Sequence, residues 1–484
     1  MAAFVVVRHL GTKPLWRDEA ISLSVAARPV GRILAVLPHH DANAGFYYLL
    51  LHAWLWFGHG PVWARGFSAA CFGATAALAA WAGWRWRGWE TGLAGGLLVA
   101  LNPFLIYYGQ EARPYAPAVL LAAVSTIALF RWRGARPYLV ATVALLYMDL
   151  FALLYVGALA AAVAAVHRLR HEPIPAAMKR CWWVIGALAA PLAVVMTGFE
   201  RGQISWLARP SARVLTTTLT SMSGGGLGLA IVVALAALAL AAAASAIGTR
   251  VRDPDRDRDR DRDRMIVLAL AAAFALPPLT LWVVAQAAPA FLDRYVICST
   301  LAMVGVAAAG LEALRDRLPG AGRIVTLTIL AVLLLLAGQG TARLEAQPFK
   351  VDNAPAAVDF IRAHSRPGDA VVYAGGGLRT LMESSLTGRP SAGTRQTLPP
   401  DIALAAKGQA YLQHDLYARE VTAPELLSRL ASVLRLWLVT DPSDQQFPVG
   451  GPFAQLKPLV RATFTAGATT SFGAVDVTLL VRRA

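Results

Sequence analysis

The strongest constraint on this chain is a rhythm. Apolar segments recur from residue 66 to residue 340, and the arginines between them gather on every second connection. Crossing the hydrocarbon of a bilayer takes about 20 apolar residues in a helix, and only a helix or a closed barrel satisfies the backbone there. Segments at 66–84, 93–108, 114–131, 137–148, 150–166, 181–198, 227–247, 265–287, 295–312 and 324–340 read as spanning helices. The expected fold class is therefore a mostly α, polytopic membrane protein with about ten or eleven transmembrane helices. Composition agrees: of 484 residues, 57% are hydrophobic and 15% charged, against roughly 25% charged in soluble domains. The formal charge of +16 does not point to nucleic acid as a partner, because the arginines sit in short runs between apolar segments.

Those runs set an orientation. Arg85 and Arg87, then Arg131, Arg133 and Arg136, then Arg168, Arg170, Lys179 and Arg180, then Arg250 to Arg264, then Arg315, Arg317 and Arg323 fall on alternate connections. The positive-inside rule assigns them to the cytoplasm, and so puts the acid-pair loop, the 109–113 turn, the 199–226 loop, the 288–294 turn and the tail outside. Within one cytoplasmic connection, Asp253 and Pro254 precede an Asp-Arg alternation from Asp255 to Arg264, whose locally cancelling charges read as a solvated linker. Met1 to Leu10 are apolar but too few to span, and no cleavable signal peptide is visible. Cys71, Cys181 and Cys298 lie far apart in or beside apolar segments, which suits buried small hydrophobes rather than a disulfide framework or zinc cluster.

The polar groups of the outer connections stand out against this background. Leu15-Trp16-Arg17-Asp18-Glu19-Ala20 sets two adjacent acids among apolar and aromatic neighbours. First-turn acids of a helix suit its macrodipole, whereas ionisable groups at a membrane edge are functional candidates by default; both readings stand for this pair. On the same side come Asp41, in His39-His40-Asp41-Ala42-Asn43-Ala44-Gly45, then Gln110-Glu111-Ala112-Arg113-Pro114-Tyr115, then Asp293-Arg294-Tyr295. A salt bridge capping the turn is the structural alternative for Glu111 and Arg113. Trp206 reads first as an interface anchor and second as a sugar-stacking ring. An amphipathic run from Ile21 to Leu37 is expected to lie in the interface, with Trp54, Trp56, Phe57 and Trp63 in the aromatic belt.

From about residue 341 the composition becomes that of a soluble domain. Helices over 355–364 and 424–434, and strands over Ala370 to Tyr373 and Leu436 to Val439, suggest a small α/β domain. Gly375-Gly376-Gly377 lacks the Lys-Ser/Thr of a phosphate loop and reads as a tight turn.

Trp16-Arg17-Asp18-Glu19-Ala20, Asp41 shortly before Tyr47-Tyr48-Leu49-Leu50-Leu51-His52, Gln110-Glu111-Ala112-Arg113-Pro114-Tyr115 and Asp293-Arg294-Tyr295 resemble, in order and common side, the polyprenyl-phosphate-sugar-dependent glycosyltransferases of the GT-C superfamily. Bacterial relatives of protein O-mannosyltransferases and aminoarabinose transferases are the nearest in character. The resemblance covers residues 11 to 340. It implies a GT-C-like catalytic domain over 1–340 in the bacterial plasma membrane and an extracytoplasmic α/β domain over 341–484. It also implies an inverting transfer of a sugar, mannose being the commonest, from a polyprenyl-phosphate donor to a hydroxyl of a glycan, lipid or protein. Asp18 matches the family's general base. The residue chemistry points the same way: an acceptor hydroxyl needs a carboxylate for its proton, while a departing lipid phosphate needs cations, and Arg113 and Arg294 can each grip two of its oxygens. Glu19, Asp41 and Glu111 would orient acceptor, donor or arginines, and Tyr115, Trp206 and Tyr295 would touch sugar or lipid. No organic cofactor is implied, and the family leaves room for a divalent cation beside such acids. The rival classes are a transporter or flippase of lipid-linked sugars and a non-catalytic scaffold. Transporters place charges at mid-membrane on broken helices within internal repeats, and neither feature is visible here.

Overall fold

The computed structural model describes residues 6–131, 134–198, 207–245, 254–374, 376–386, 398–405, 416, 419–441, 458 and 460–483. Two short helices, α1 (Arg17–Ala26) and α2 (Val30–Val36), open the described chain, followed by α3 (Gly45–Trp54). The amphipathic run expected as one interfacial helix is thus two, parted at Ala27–Pro29, where proline cannot donate to the preceding turn.

The bundle follows: α4 (Pro61–Arg87), α5 (Trp89–Ala100), α6 (Pro103–Gly109), α7 (Tyr115–Arg131), α8 (Ala135–Met148), α9 (Ala152–Leu169), α10 (Ala176–Gly198), α11 (Ala212–Met222), α12 (Gly226–Ser245), α13 (Pro254–Ala287), α14 (Cys298–Arg317) and α15 (Gly322–Glu345). Seven of the described helices are long and apolar enough to cross a membrane. The pair α5 and α6 makes an eighth path, bent by 56°, and the bend has a local cause. Pro103 supplies no N–H, while the Asn102 side chain accepts from Leu105 N at 3.0 Å and starts a new helix. The remaining two expected spans, α7 and α8, are apolar but shorter. All three cysteines are buried and free.

The arginine clusters do meet at one end of this bundle. Arg87, at the end of α4, reaches Glu312 of α14 at 3.2 Å and Asp263 of α13 at 3.7 Å. Arg170 pairs with Asp261, Arg315 and Arg323 pair with Glu90, and Arg131 lies over the Trp81 ring. These contacts correct the reading of the Asp-Arg run. From Pro254 onward it is not a solvated linker but the first turns of α13, with Asp253 outside the described residues. Opposite charges three residues apart, as in Asp261–Arg264 at 3.0 Å, support a helix, and aspartates suit its N-terminal end.

After α15 the chain builds a four-stranded sheet in the order β1-β2-β4-β3, from β1 (Ala370–Tyr373), β2 (Arg435–Thr440), β3 (Phe464–Ser471) and β4 (Asp476–Arg482). Strand β1 pairs parallel with β2, and the other pairings are antiparallel. Helices α16 (Ala354–His364), α17 (Gly376–Leu386) and α18 (Ala423–Leu430) cover it. Alternation along the strands buries both faces: Leu436 faces Leu426 and Leu430 of α18, while Trp437 and Val439 join Val358, Ile361 and Leu381 of α16 and α17. Ala20 of α1 belongs to that second core, so this sheet is packed onto the helix that carries the acid pair. The glycine run is also corrected. Gly375 lies outside the described residues, but Gly376 and Gly377 open α17 rather than a tight turn. A Cβ on Gly377 would come within 2.8 Å of Arg17 Cδ, so glycine lets α17 lie against Arg17.

Candidate active site

At the end of the bundle opposite the arginine clusters, side chains from distant segments converge on Asp18. It is the second residue of α1, and its carboxylate is 26% exposed. Arg113, in the turn between α6 and α7, places Nη2 3.8 Å from Asp18 Oδ2, and Arg294, in the short 310 turn Asp293–Val296 before α14, places its Nη2 3.8 Å from the same oxygen. One carboxylate oxygen therefore stands between two guanidiniums. Arg113 also lies 3.9 Å from Asp41 Oδ2 and donates to Ser22 Oγ at 3.1 Å. Asp41 adopts a left-handed backbone with φ of 57°, which an aspartate tolerates better than most side chains, and it accepts a short hydrogen bond from the Tyr48 hydroxyl.

Both arginines keep a donor in reserve. The Nε atoms of Arg113 and Arg294 are buried and have no hydrogen-bond partner among the described residues, and neither does the indole Nε1 of Trp16, whose ring lies 5.6 Å from the Arg294 guanidinium carbon. Unsatisfied buried donors are costly. Their concentration beside one carboxylate fits a site that completes its hydrogen bonds with an anionic ligand.

The second acid of the pair turns away. Glu19 is fully buried and accepts from Arg65 Nε and Nη2, both at 2.7 Å, and from Ala112 N at 2.9 Å. Its bidentate ion pair with Arg65 leaves it no face toward a ligand, and it bears on the site by fixing the turn that presents Arg113. Glu111 is buried beneath the same turn, 3.0 Å from Lys350 Nζ, and burial pushes its carboxyl up to about 7. Lys350 also donates to Tyr107 O at 2.9 Å and sits 4.2 Å from the Tyr107 ring centroid. Tyr115 is buried under Arg113, whose guanidinium carbon is 5.8 Å from its ring, while Tyr295 is partly exposed and stacks on Phe151 at 3.8 Å. Trp206 lies outside the described residues.

Several residues here escaped the sequence reading. Asp149, between α8 and α9, is buried, accepts from Phe151 N at 3.0 Å, and burial pushes its carboxyl up to about 7 with Arg113 close enough to oppose the shift. Its signal was a single ionisable residue splitting two apolar segments on the acid side. Arg65 and Lys350, the partners of Glu19 and Glu111, left no pattern in sequence that linked them to those acids. The tail adds a clamp: Asp352 Oδ2 accepts from Arg17 N at 2.8 Å, Asp441 Oδ2 accepts from Arg17 Nη1 at 2.7 Å, and Ala474 O accepts from Nη2 at 3.3 Å. A carboxylate at the first N–H of α1 also complements its dipole.

Among the described residues, no three histidine, cysteine, aspartate or glutamate side chains gather as cation ligands. Asp18 and Asp41 both face the Arg113 guanidinium, a donor set that does not fit a divalent ion.

Bundle, bent α5–α6 pair and appended sheet together define a mostly helical, polytopic membrane protein with a small C-terminal four-stranded sheet, a fold shared with solved membrane proteins. Among solved structures, the chain is similar to ArnT from Cupriavidus metallidurans in the apo state, with a TM-score of 0.56 at 12% identity, over 98% of this chain and 95% of that one. It is likewise similar to the same protein bound to undecaprenyl phosphate, with a TM-score of 0.52 at 12% identity over 99% and 96% of the two chains. No family model matches the sequence, and no curated protein matches it.

Proposed function

We propose that this chain is an inverting glycosyltransferase that moves a sugar from a polyprenyl-phosphate donor to an acceptor hydroxyl, with its site and C-terminal α/β part on the outer side of a bacterial plasma membrane. The observation that carries the reading is Asp18 flanked by two guanidiniums whose Nε donors are buried without partners. A donor phosphate draws both arginines into bidentate contact, which loosens their hold on Asp18 and leaves its carboxylate free to act as a base. The acceptor oxygen then forms a bond to the anomeric carbon, its proton passes to Asp18, and the carbon–oxygen bond to phosphate breaks with its electron pair leaving on the polyprenyl phosphate. Arg113 and Arg294 hold the charge that develops there. Asp41, held by Tyr48, orients Arg113, and Tyr295 borders the sugar. The fold shared with a protein solved with undecaprenyl phosphate bound supports a lipid-phosphate donor. Mannose is the first sugar to test.

Purified protein offered a panel of polyprenyl-phosphate sugars should release polyprenyl phosphate, and Asp18→Asn should lower kcat by about 10²–10⁴-fold, the contribution of a positioned base, with expression intact. Near-normal turnover by Asp18→Asn removes Asp18 as the base. Release from no donor at all favours the transporter or scaffold readings. A reporter fused after Ala484 should be active outside the cytoplasm, and a cytoplasmic signal inverts the orientation.

A further inference from the structure

We infer that Arg17 is a positioning residue for the proposed transfer, through which the C-terminal sheet sets the rotation of α1 and so the aim of Asp18; the inference rests on the reading of Asp18 as the base. Consecutive side chains at the start of α1 point to different parts of the molecule, because successive positions on a helix diverge by about 100° at 3.6 residues per turn. Arg17 reaches the C-terminal sheet, Asp18 faces Arg113 and Arg294, and Glu19 is gripped by Arg65 of α4. Sheet and bundle thus hold the helix on either side of Asp18, and together they fix where its carboxylate lies.

The grip on Arg17 is built as a ligand site. In open α/β sheets, ligands sit beyond the carboxyl ends of parallel strands. Strands β1 and β2 are the parallel pair; α17 begins at Gly376, just after β1, and Asp441 follows β2 directly. Arg17 lies at that end, with its stem against Gly377 and its Nη1 donating to Asp441 Oδ2 at 2.7 Å. Asp352 accepts from the Arg17 backbone N at 2.8 Å and lies 3.7 Å from Nη2. Both carboxylates are buried, at 8% and 1% exposure, where charge-assisted hydrogen bonds are strong. The α/β part therefore holds the first helix where comparable sheets hold a small ligand. A carboxylate carried about 5–6 Å from a helix axis moves by about 1 Å for about 10° of rotation, and a misplacement of about 1 Å costs a reaction up to about 10²-fold.

The test uses the full chain in detergent, with a polyprenyl-phosphate sugar that the parent protein turns over. Arg17→Gln and Asp441→Asn should each lower kcat by about 10–10²-fold and change KM for the donor by less than about threefold, because Arg113 and Arg294 remain. The double variant should be no slower than the slower single one, since both delete the same contact. Asp441→Asn keeps the shape of the side chain and carries the test if Arg17→Gln does not fold. Arg435→Gln breaks a 3.0 Å pair with Asp369 at the opposite end of β2, so it should lower the stability of the same sheet and leave kcat unchanged. Full kcat in Asp441→Asn, an effect confined to KM, or an equal loss of kcat in Arg435→Gln overturns the inference and leaves Asp18 as the base. Turnover of no donor by the parent protein removes the reading of Asp18, and the inference with it.

Discussion

Lys350→Met gives the most informative perturbation, because Lys350 touches no proposed substrate and still supports the turn that presents Arg113. Its side chain is 2% exposed and that of Glu111 is 1% exposed, at 3.0 Å from each other. Breaking a buried pair by removing one partner costs about 3–5 kcal/mol, because the other charge is left uncompensated. Glu111 can escape that penalty by taking a proton, and this makes the cost depend on pH. With Lys350 present, burial already holds the Glu111 carboxyl up at about 7, and losing the cation raises it further. A carboxyl whose folded value lies above its unfolded value withdraws stability as pH rises through the interval between them. The variant should therefore lose about 3–5 kcal/mol at pH 8, the full cost of a broken buried pair. At pH 5.5 Glu111 is neutral in both proteins, and only the Tyr107 contacts are lost, about 1–2 kcal/mol. Adding Glu111→Gln should bring the loss to about 1–2 kcal/mol at both pH values, since no buried charge remains. Equilibrium unfolding in mixed micelles reads all three proteins. A Lys350→Met penalty equal at the two pH values, or a double variant no more stable than the single one, refutes the reasoning.

Other outcomes follow from the same geometry. Arg294→Ala should weaken binding of a labelled polyprenyl-phosphate analogue by about tenfold or more, the loss expected of a charge-assisted contact of roughly 1.5–3 kcal/mol; unchanged affinity removes it as a phosphate contact. Asp149→Asn keeps an acceptor for Phe151 N and deletes the buried charge, so the variant should be more stable than the parent at pH 8 and nearly equal to it at about pH 3.5, where Asp149 is mostly protonated in the folded and the unfolded chain alike. Unfolding at the two pH values checks the sign, and parallel stability curves for the two proteins count against it.

The fold was legible where one physical rule dominates. Hydrocarbon demands long apolar helices, so each of the ten expected spans has a counterpart from α4 to α15, and the alternation of arginines foretold the common end at which Arg87, Arg170 and Arg315 form their pairs. The strand Ala370–Tyr373 appears with the bounds its composition suggested, because both of its faces are buried. The convergence of Asp18, Arg113 and Arg294 was also legible, since charges at membrane edges carry a cost that only a role offsets. Roles within the acid pair were not. Whether Asp18 or Glu19 faces the open side depends on which meets Arg65, and that pairing spans 46 residues with no local pattern to mark it. The same holds for Glu111, which needed Lys350, 239 residues away, to show it as a buried support rather than a ligand contact. The Asp-Arg run misled for a related reason. Local cancellation of charge describes a linker and an ion-paired helix equally well, and the partners Arg170 and Arg87 settle the matter only in three dimensions.

The grip on Arg17 has a temporal consequence. Its guanidinium is held by Asp441 and by the carbonyl of Ala474, 424 and 457 residues further along the chain. A ribosome that has finished every helix of the bundle has still not supplied the groups that seat the first one. Helix α1 therefore takes its final position only when the last strands have been made, delivered to the same side and folded, so a half-built copy in the membrane holds its lipid-facing scaffold but not a seated Asp18 carboxylate.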